Sequence, residues 1–417
     1  MTRPMRILLI AHAYLPTVGG TETWADEVAR GLVRRGHEVV VSTSDNASPS
    51  GMLRPFHRRQ ATGIEHRDGV EIRRHRMLRS AAIGLDVLRR IEKQARGTTG
   101  TLGIVGQYPW IPTAFGEWRD PSFDVLLPTS LPSLCATLPL WMRGRGWIRR
   151  PVALHTTAMP HSARFPSPSA LRPILGAADI LLTDTDAEFA ELQAGGWAPD
   201  VPHRCVGVGI PDDAFDAGDA SRARARFGLS EGRPVLSFVA RLTPEKGVLR
   251  LLRAADRLAG AGRDFDVVLL GDDASIRTRP EWRRLRARLG DRVRAPGSVS
   301  IETVRDVCAA SAVMAMPSVA DSFGIVYLEA WAQGTPVIGV DVPAMREIIA
   351  GGGWLVPADD RDDTALVAAL ESALDDPDVR RSRGAVGRQR AWDRYRWTHV
   401  VDGVEAGLVD VVRGPRR

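Results

Sequence analysis

Unbroken apolar runs of strand length occur in two separate series along this chain, and each run leads through a loop into residues of helical period. The first series opens with RILLIAH (residues 6–12), the loop AYLPTVGGT, the helical pattern ETWADEVARGLVRRG and a second strand signal, HEVVVST. Strands that are apolar throughout need cover on both faces, which implies a parallel sheet with helices crossing on either side. Strand signals resume at DVLLP, PVALH and DILLT. Residues 50–120 between them predict one strand near 69–74, one helical stretch around 81–95 and a Gly/Thr/Pro-rich loop to about Pro121.

The pattern then restarts. PVLSFVAR, FDVVLLG, DRVRAP, AVMAMPS and TPVIGV read as strands, separated by helical stretches such as 248–259 and 301–310. The expected fold class is therefore α/β, with two doubly wound Rossmann-like domains facing a central cleft, where the carboxyl ends of both sets of strands share a ligand. Residues 1–210 form the first domain and 211–392 the second. A C-terminal helix, 393–417, is expected to return to the first domain, and PDDAFDAGDAS is read as the interdomain connection.

Composition excludes several other classes. A chain of 417 residues that is 44% hydrophobic and 25% charged has an ordinary globular balance. Three widely spaced cysteines, Cys135, Cys205 and Cys308, suggest neither a metal knuckle nor a disulfide framework. The first residues lack a secretory cleavage pattern, so a cytoplasmic protein is expected. The uncharged stretch 125–142 has the length of a short span, but Pro128, Pro132 and Pro139 interrupt it, and a buried strand, loop and helix explain it better. The net charge of +6 lies wholly in residues 1–210, with 25 basic and 19 acidic side chains, against 31 of each in 211–417. Arg58-Arg59, Arg73-Arg74-His75-Arg76 and Arg149-Arg150 are either solvated arginines or a surface for an anionic acceptor or an anionic membrane. No nucleic-acid partner is expected.

The loops at strand ends carry the chemistry. In PTVGGTE, Gly19 and Gly20 let backbone amides approach a ligand at a helix N-terminus, although paired glycines also make ordinary turns. RLTPEKG holds the same topological position in the second domain: Thr243 reads as a helix N-cap, Pro244 as the first helical residue, and Arg241 and Lys246 as cations beside the helix start. Of 56 basic residues only Lys93 and Lys246 are lysines. A diphosphate at this point would meet a guanidinium fork and a compact ammonium together. In PSVADSFGIVYLEAWAQGTPVIG, Asp321 sits in a loop and Glu329 on the following helix, with seven residues between them. A helix carboxylate can accept two hydroxyl hydrogen bonds, as a ribose offers, and exposed amides near Phe323 suit phosphate or sugar oxygens.

These segments, in this order, resemble the retaining GT-B glycosyltransferases of the group 1, or family 4, kind, from Ile7 to about Trp397 with 50–120 matching poorly. The resemblance implies that Arg241 and Lys246 bind the donor diphosphate and that Glu329 holds the ribose. Ser322, Phe323, Gly324 and Ile325 line the donor sugar and phosphate. Gly19 and Gly20 close over the diphosphate, and Val293, Gly297 and Val299 border the base. His155 in PVALHTT corresponds to the family's active-site histidine, so the implied catalytic set is His155, Arg241, Lys246 and Asp321. Asp321 stands where the family usually has glutamate; the missing methylene shortens its reach by ~1.5 Å and leaves the donor sugar open.

The implied reaction moves a sugar from a nucleotide diphosphate sugar to an acceptor hydroxyl on a glycan, lipid-linked sugar or small molecule, with retention, by a same-face route, without metal or other cofactor. Asp184-Thr185-Asp186 spells a metal-binding DxD triplet of another fold, but its place before a helix favours a cap at Thr185 or Asp186. Two alternatives are a catalytically silent sugar-nucleotide binder and a GT-B phosphorylase with a lysine-bound pyridoxal cofactor.

Overall fold

The computed structural model describes residues 3–17, 19–46, 59–78, 87, 91–94, 100, 104, 109–160, 165–198, 200–319, 321 and 323–414. They fall into two compact units, Met1–Val208 with Trp397–Arg417, and Gly209–Arg396.

In the first unit, β1 (Arg6–Ile10), β2 (Glu38–Ser44), β3 (Gly63–Arg67), β4 (Val70–His75) and β5 (Val125–Pro128) stand in the order β3-β4-β2-β1-β5. All neighbours are parallel except the β3–β4 hairpin. β6 (Ala153–His155), β7 (Ile180–Thr183) and β8 (His203–Cys205) continue in parallel, and bridges from Leu126 to Val152 and from Thr129 to His155 lay β6 beside β5. β1 is the central strand: Ile7, Leu8, Leu9 and Ile10 are completely buried, as an all-apolar strand between two helical layers must be. The sheet order reverses between β1 and β5, so the loops after these two strands diverge and leave a crevice at their carboxyl ends.

β3 is absent from the sequence expectation. Its five residues, GIEHR, are all exposed and show no apolar alternation, so only their pairing with β4 reveals them. The expected helix at 81–95 lies largely outside the described residues. Where a plain loop was expected, a short helix, Phe115–Trp118, buries Trp118, whose indole N–H donates to Ser42 Oγ at 3.1 Å. The uncharged stretch forms β5 and the helix Leu134–Gly144. Among the described residues, no helix is long and apolar enough to cross a membrane.

The second unit is one parallel sheet. β9 (Val235–Val239), β10 (Asp266–Leu270), β11 (Val293–Gly297), β12 (Val313–Ala315), β13 (Val337–Val340) and β14 (Gly353–Val356) stand in the order β11-β10-β9-β12-β13-β14. This is the doubly wound order with its switch point between β9 and β12. The segment read as an interdomain connection is instead packed into this unit. Asp219 caps the helix Ala220–Phe227 by accepting from Arg222 N–H, and the Gly218 N–H donates to Gln333 Oε1 at 2.7 Å. Residues 393–396 also belong here, as the end of the helix Pro377–Arg394 and its exit; the terminal helix is Trp397–Arg413. It packs on the helix Gly20–Arg34 of the first unit, so closely that a Cβ on Gly31 would stand 2.5 Å from Val401.

Candidate active site

The loops after β9 and β12 meet at the switch point of the second unit. RLTPEKG does not enter its helix directly: Pro244–Lys246 form a 3-10 turn, and the α-helix Val248–Gly260 starts only after Gly247, at φ +84°. Thr243 precedes the turn without making a side-chain cap. The positive φ has a physical cause. A Cβ on Gly247 would meet the Pro317 carbonyl oxygen at 2.2 Å, so glycine alone lets the two loops touch. Val319 N–H and Ser318 Oγ both donate to the Glu245 carbonyl at 3.3 Å and lock the contact.

This docking brings Lys246 Nζ to 2.5 Å from Asp321 Oδ1, while Asp321 Oδ2 is buried without a hydrogen-bond partner. An unpaired carboxylate oxygen in such surroundings is costly unless a ligand donor completes it. Arg241, at the end of β9, is exposed. Phe323 is buried edge-to-face against Tyr395 at 5.4 Å, and Gly324, at φ +78°, opens the helix Ile325–Ala332. Tyr327 of that helix donates to the Met316 carbonyl at 2.9 Å and fixes the helix start beside β12.

Glu329 lies one turn deeper and is 8% exposed. Burial is the main reason its pKa is pushed up to about 7; Arg305, 3.9 Å away, pulls it down and Asp213 pushes it up. Glu329 Oε2 and Arg305 Nε are both buried without a hydrogen-bond partner. Arg305, which also pairs with Asp213 at 3.1 Å, was not singled out in the sequence. It lies on the helix Ile301–Ala310 with no motif around it to mark it.

In the first unit, Gly19 precedes and Gly20 begins the helix Gly20–Arg34. A Cβ on Gly19 would meet the Glu22 carboxylate at 2.4 Å, so this glycine makes room for a buried side chain. Burial pushes the Glu22 pKa up, but the hydrogen bond and charge of His12 outweigh it and hold Glu22 below the usual carboxylate range. His155 ends β6 and is 1% exposed. Its ring stacks on Trp24 at 3.6 Å between centroids and 4° between planes, its Nε2 is 2.9 Å from Asp184 Oδ1, and its Nδ1 is 3.4 Å from Thr157 Oγ1. Thr185 alone caps the helix Asp186–Ala194, accepting the Glu188 N–H at 3.0 Å. Glu188 in turn accepts from the Asp184 and Ala158 N–H groups and from Thr156 Oγ1, tying down the loop after His155. Neither Trp24 nor Asp184 was tied to His155 by sequence, because they lie 131 and 29 positions away from it and only the β1, β6 and β7 neighbourhood joins them.

Residues 219–390 match the family described as Glycosyl transferases group 1. The chain is 28% identical, over 96% of its length and 89% of the relative's, to a D-inositol 3-phosphate glycosyltransferase of Acidothermus cellulolyticus. Its fold is similar to those of a sucrose-phosphate synthase from Thermosynechococcus elongatus (TM-score 0.70, 20% identity, 97% of each chain) and of Anabaena HepE in complex with UDP and glucose (TM-score 0.67, 17% identity, 97% of this chain and 99% of that one). The group 1 match covers most of the second unit, and the chain is similar to a glycosyltransferase over nearly its whole length. Its two Rossmann-like domains are those of the GT-B fold.

Lys246, Asp321, Phe323, Gly324 and Ile325 gather at one switch point, as their loops suggested. Ser322 lies outside the described residues. Val293 does not belong with the others. It is buried at the amino end of β11, four residues and ~13 Å of strand before Gly297, whereas ligands of parallel sheets sit at carboxyl ends. Gly297, at φ +91°, and Val299 do lie at that end. Two of the basic clusters are also committed elsewhere. Arg73 pairs with Glu71 and Glu117, Arg74 is 6% exposed and bound to Glu65 and the Leu15 carbonyl, and Arg59 faces Asp45 at 3.5 Å. Arg58 lies outside the described residues.

Proposed function

We propose that this glycosyltransferase moves a sugar from a nucleoside diphosphate sugar to an acceptor hydroxyl, with retention at the anomeric carbon and without a required metal ion. The observation that carries the reading is the Lys246–Asp321 pair at the switch point, with one Asp321 oxygen awaiting a donor. A donor sugar hydroxyl would satisfy that oxygen, and the diphosphate would draw on Lys246 and Arg241. As the bond from the anomeric carbon to the diphosphate oxygen breaks, negative charge collects on the leaving group, where the two cations stabilise it. The acceptor oxygen bonds to the same face, and its proton passes to the departing phosphate oxygen. Glu329 would accept the ribose hydroxyls, with Arg305 at 3.9 Å from its carboxylate.

Support for metal independence comes from the DxD triplet. Asp184 faces His155, and Asp186 lies 3.4 Å from His203. Trp24 and Asp184 would hold the His155 ring in one orientation. Three free cysteines fit a cytoplasmic site of action. The relative's name makes a phosphorylated polyol a first acceptor to try, and HepE's complex makes UDP-sugars the first donors.

The test is nucleotide release from UDP-, GDP- and ADP-sugars with a panel of polyol phosphates, followed by NMR of the product's anomeric proton in excess EDTA. Transfer with the donor's configuration, undiminished by EDTA, is expected. An inverted product, or activity that returns only with added Mn²⁺ or Mg²⁺, overturns the corresponding part of the proposal.

A further inference from the structure

The last turn of the helix Leu134–Gly144 and the turn that follows it present two tryptophans to solvent, Trp141 at 37% and Trp147 at 53% exposure, their rings edge-to-face at 5.3 Å. The sequence there is WMRGRGWIRR, and no Asp or Glu occurs between Asp124 and Asp179. Arg145 lies over the Trp141 ring at 5.2 Å. Trp147, Arg149 and Arg150 line a cavity of about 320 Å³ together with Arg119, Gly116 and Pro121. Arg119, Arg145 and Arg149 are exposed, and Arg150, also exposed, gives one N–H to the Pro121 carbonyl. The carboxylate nearest in sequence, Asp120, accepts the Ser122 N–H at 2.9 Å and is paired with none of these arginines. The patch therefore combines apolar rings with a polar edge and a set of cations that pair with no acid among the described residues. That pairing matches the lipid–water boundary, where tryptophan rings settle among headgroups and arginines meet lipid phosphates.

We propose that this edge docks the protein on an anionic lipid bilayer, with Trp141 and Trp147 in the headgroup layer and Arg119, Arg145, Arg149 and Arg150 against lipid phosphates. The edge lies at the amino ends of β5 and β6, so docking leaves the carboxyl-end loops that carry Gly19 and His155 free for ligands. The inference goes beyond the proposed reaction and stands whether or not that reaction is right.

The test is co-sedimentation with vesicles of phosphatidylcholine alone and of phosphatidylcholine mixed with phosphatidylglycerol, at low and high salt. Wild type should pellet with the mixed vesicles at low salt and less at high salt, because the Debye length of ~8 Å at physiological ionic strength shortens further. Changing Arg145, Arg149 and Arg150 together to glutamine should weaken partitioning at least ~10-fold. Trp147→Ala should weaken it at both salt levels. Thermal melting and nucleotide release should match wild type in both variants, since all the changed residues are exposed and lie at the amino ends of β5 and β6, away from the carboxyl-end loops of their own sheet. Arg76→Gln, on another exposed edge, should sediment as wild type does. A wild type that stays in the supernatant at low salt, a triple variant that pellets normally, or a loss confined to Arg76→Gln overturns the proposal.

Discussion

Lys246 ends 2.5 Å from a carboxylate whose other oxygen has no hydrogen-bond partner. A compact ammonium can stay close to Asp321 and still turn toward a phosphate oxygen, whereas a planar guanidinium would be held in a fork by that same carboxylate. Lys246→Ala and Arg241→Ala should each lower turnover by about 10²-fold or more. Lys246→Arg should also be impaired; wild-type turnover in that variant, measured as nucleotide release, would contradict this account of the lysine. Glu329 allows a second prediction, on pH. Burial raises its folded pKa to about 7, above its unfolded value, so the folded state keeps a proton that the unfolded chain has released. Its contribution to stability is therefore fullest below the unfolded pKa and declines as pH rises to about 7. Melting temperature should fall less steeply across that window in Glu329→Gln than in wild type. Nucleoside diphosphate affinity should instead improve as wild type passes upward through that pKa, because the ionised carboxylate is the better acceptor for ribose hydroxyls. Calorimetry at several pH values checks both slopes, and equal slopes in the two proteins would remove Glu329 from the nucleotide site.

Elements show where the sequence was readable and where it was not. The strands with continuous apolar residues were legible because burial on both faces leaves a pattern that no surface segment shares. β3 was illegible for the opposite reason, since it is an exposed edge strand held only by its ladder to β4. The cations of RLTPEKG were found, but the turn that carries them was misread. Pro244 signalled a helix start, while the deciding feature was Gly247, whose neighbour Pro317 is 70 positions away. The His155 partners and Arg305 escaped notice similarly, because their contacts come from strand order rather than spacing. Gly247→Ala tests the element directly. A left-handed alanine costs about 1 kcal/mol before any clash, and its Cβ would be forced against the Pro317 carbonyl. The two loops should separate, carrying Lys246 away from Asp321, so turnover should drop about as far as in Lys246→Ala while the melting temperature also falls. Retained turnover with a lowered melting temperature would show that loop docking supports the fold but does not arrange the cations.

At the scale of the whole molecule, the chain leaves its first unit at Val208 and re-enters it at Trp397, so one domain is assembled from both ends of the sequence. The returning helix is not a loose tail. It buries Trp397, Val400, Val401, Val404 and Leu408, and Arg35 holds it through Asp402 and Glu405. Burial of a large apolar side chain is worth roughly 1.5–3 kcal/mol, so five such residues together are comparable to the whole margin of about 5–15 kcal/mol by which a domain is ordinarily stable. The second unit has its own six-stranded sheet and closes at Arg396. Ending the chain before Trp397 should therefore unfold the first unit and spare the second. In thermal unfolding, the truncated protein is expected to lose one transition and keep another that a nucleoside diphosphate shifts upward, since a ligand stabilises the unit that binds it. Limited proteolysis should then leave a fragment close to Gly209–Arg396. If truncation leaves both transitions in place, the terminal helix is an accessory to the first domain; if it abolishes nucleotide protection too, the donor site does not reside in the second unit alone.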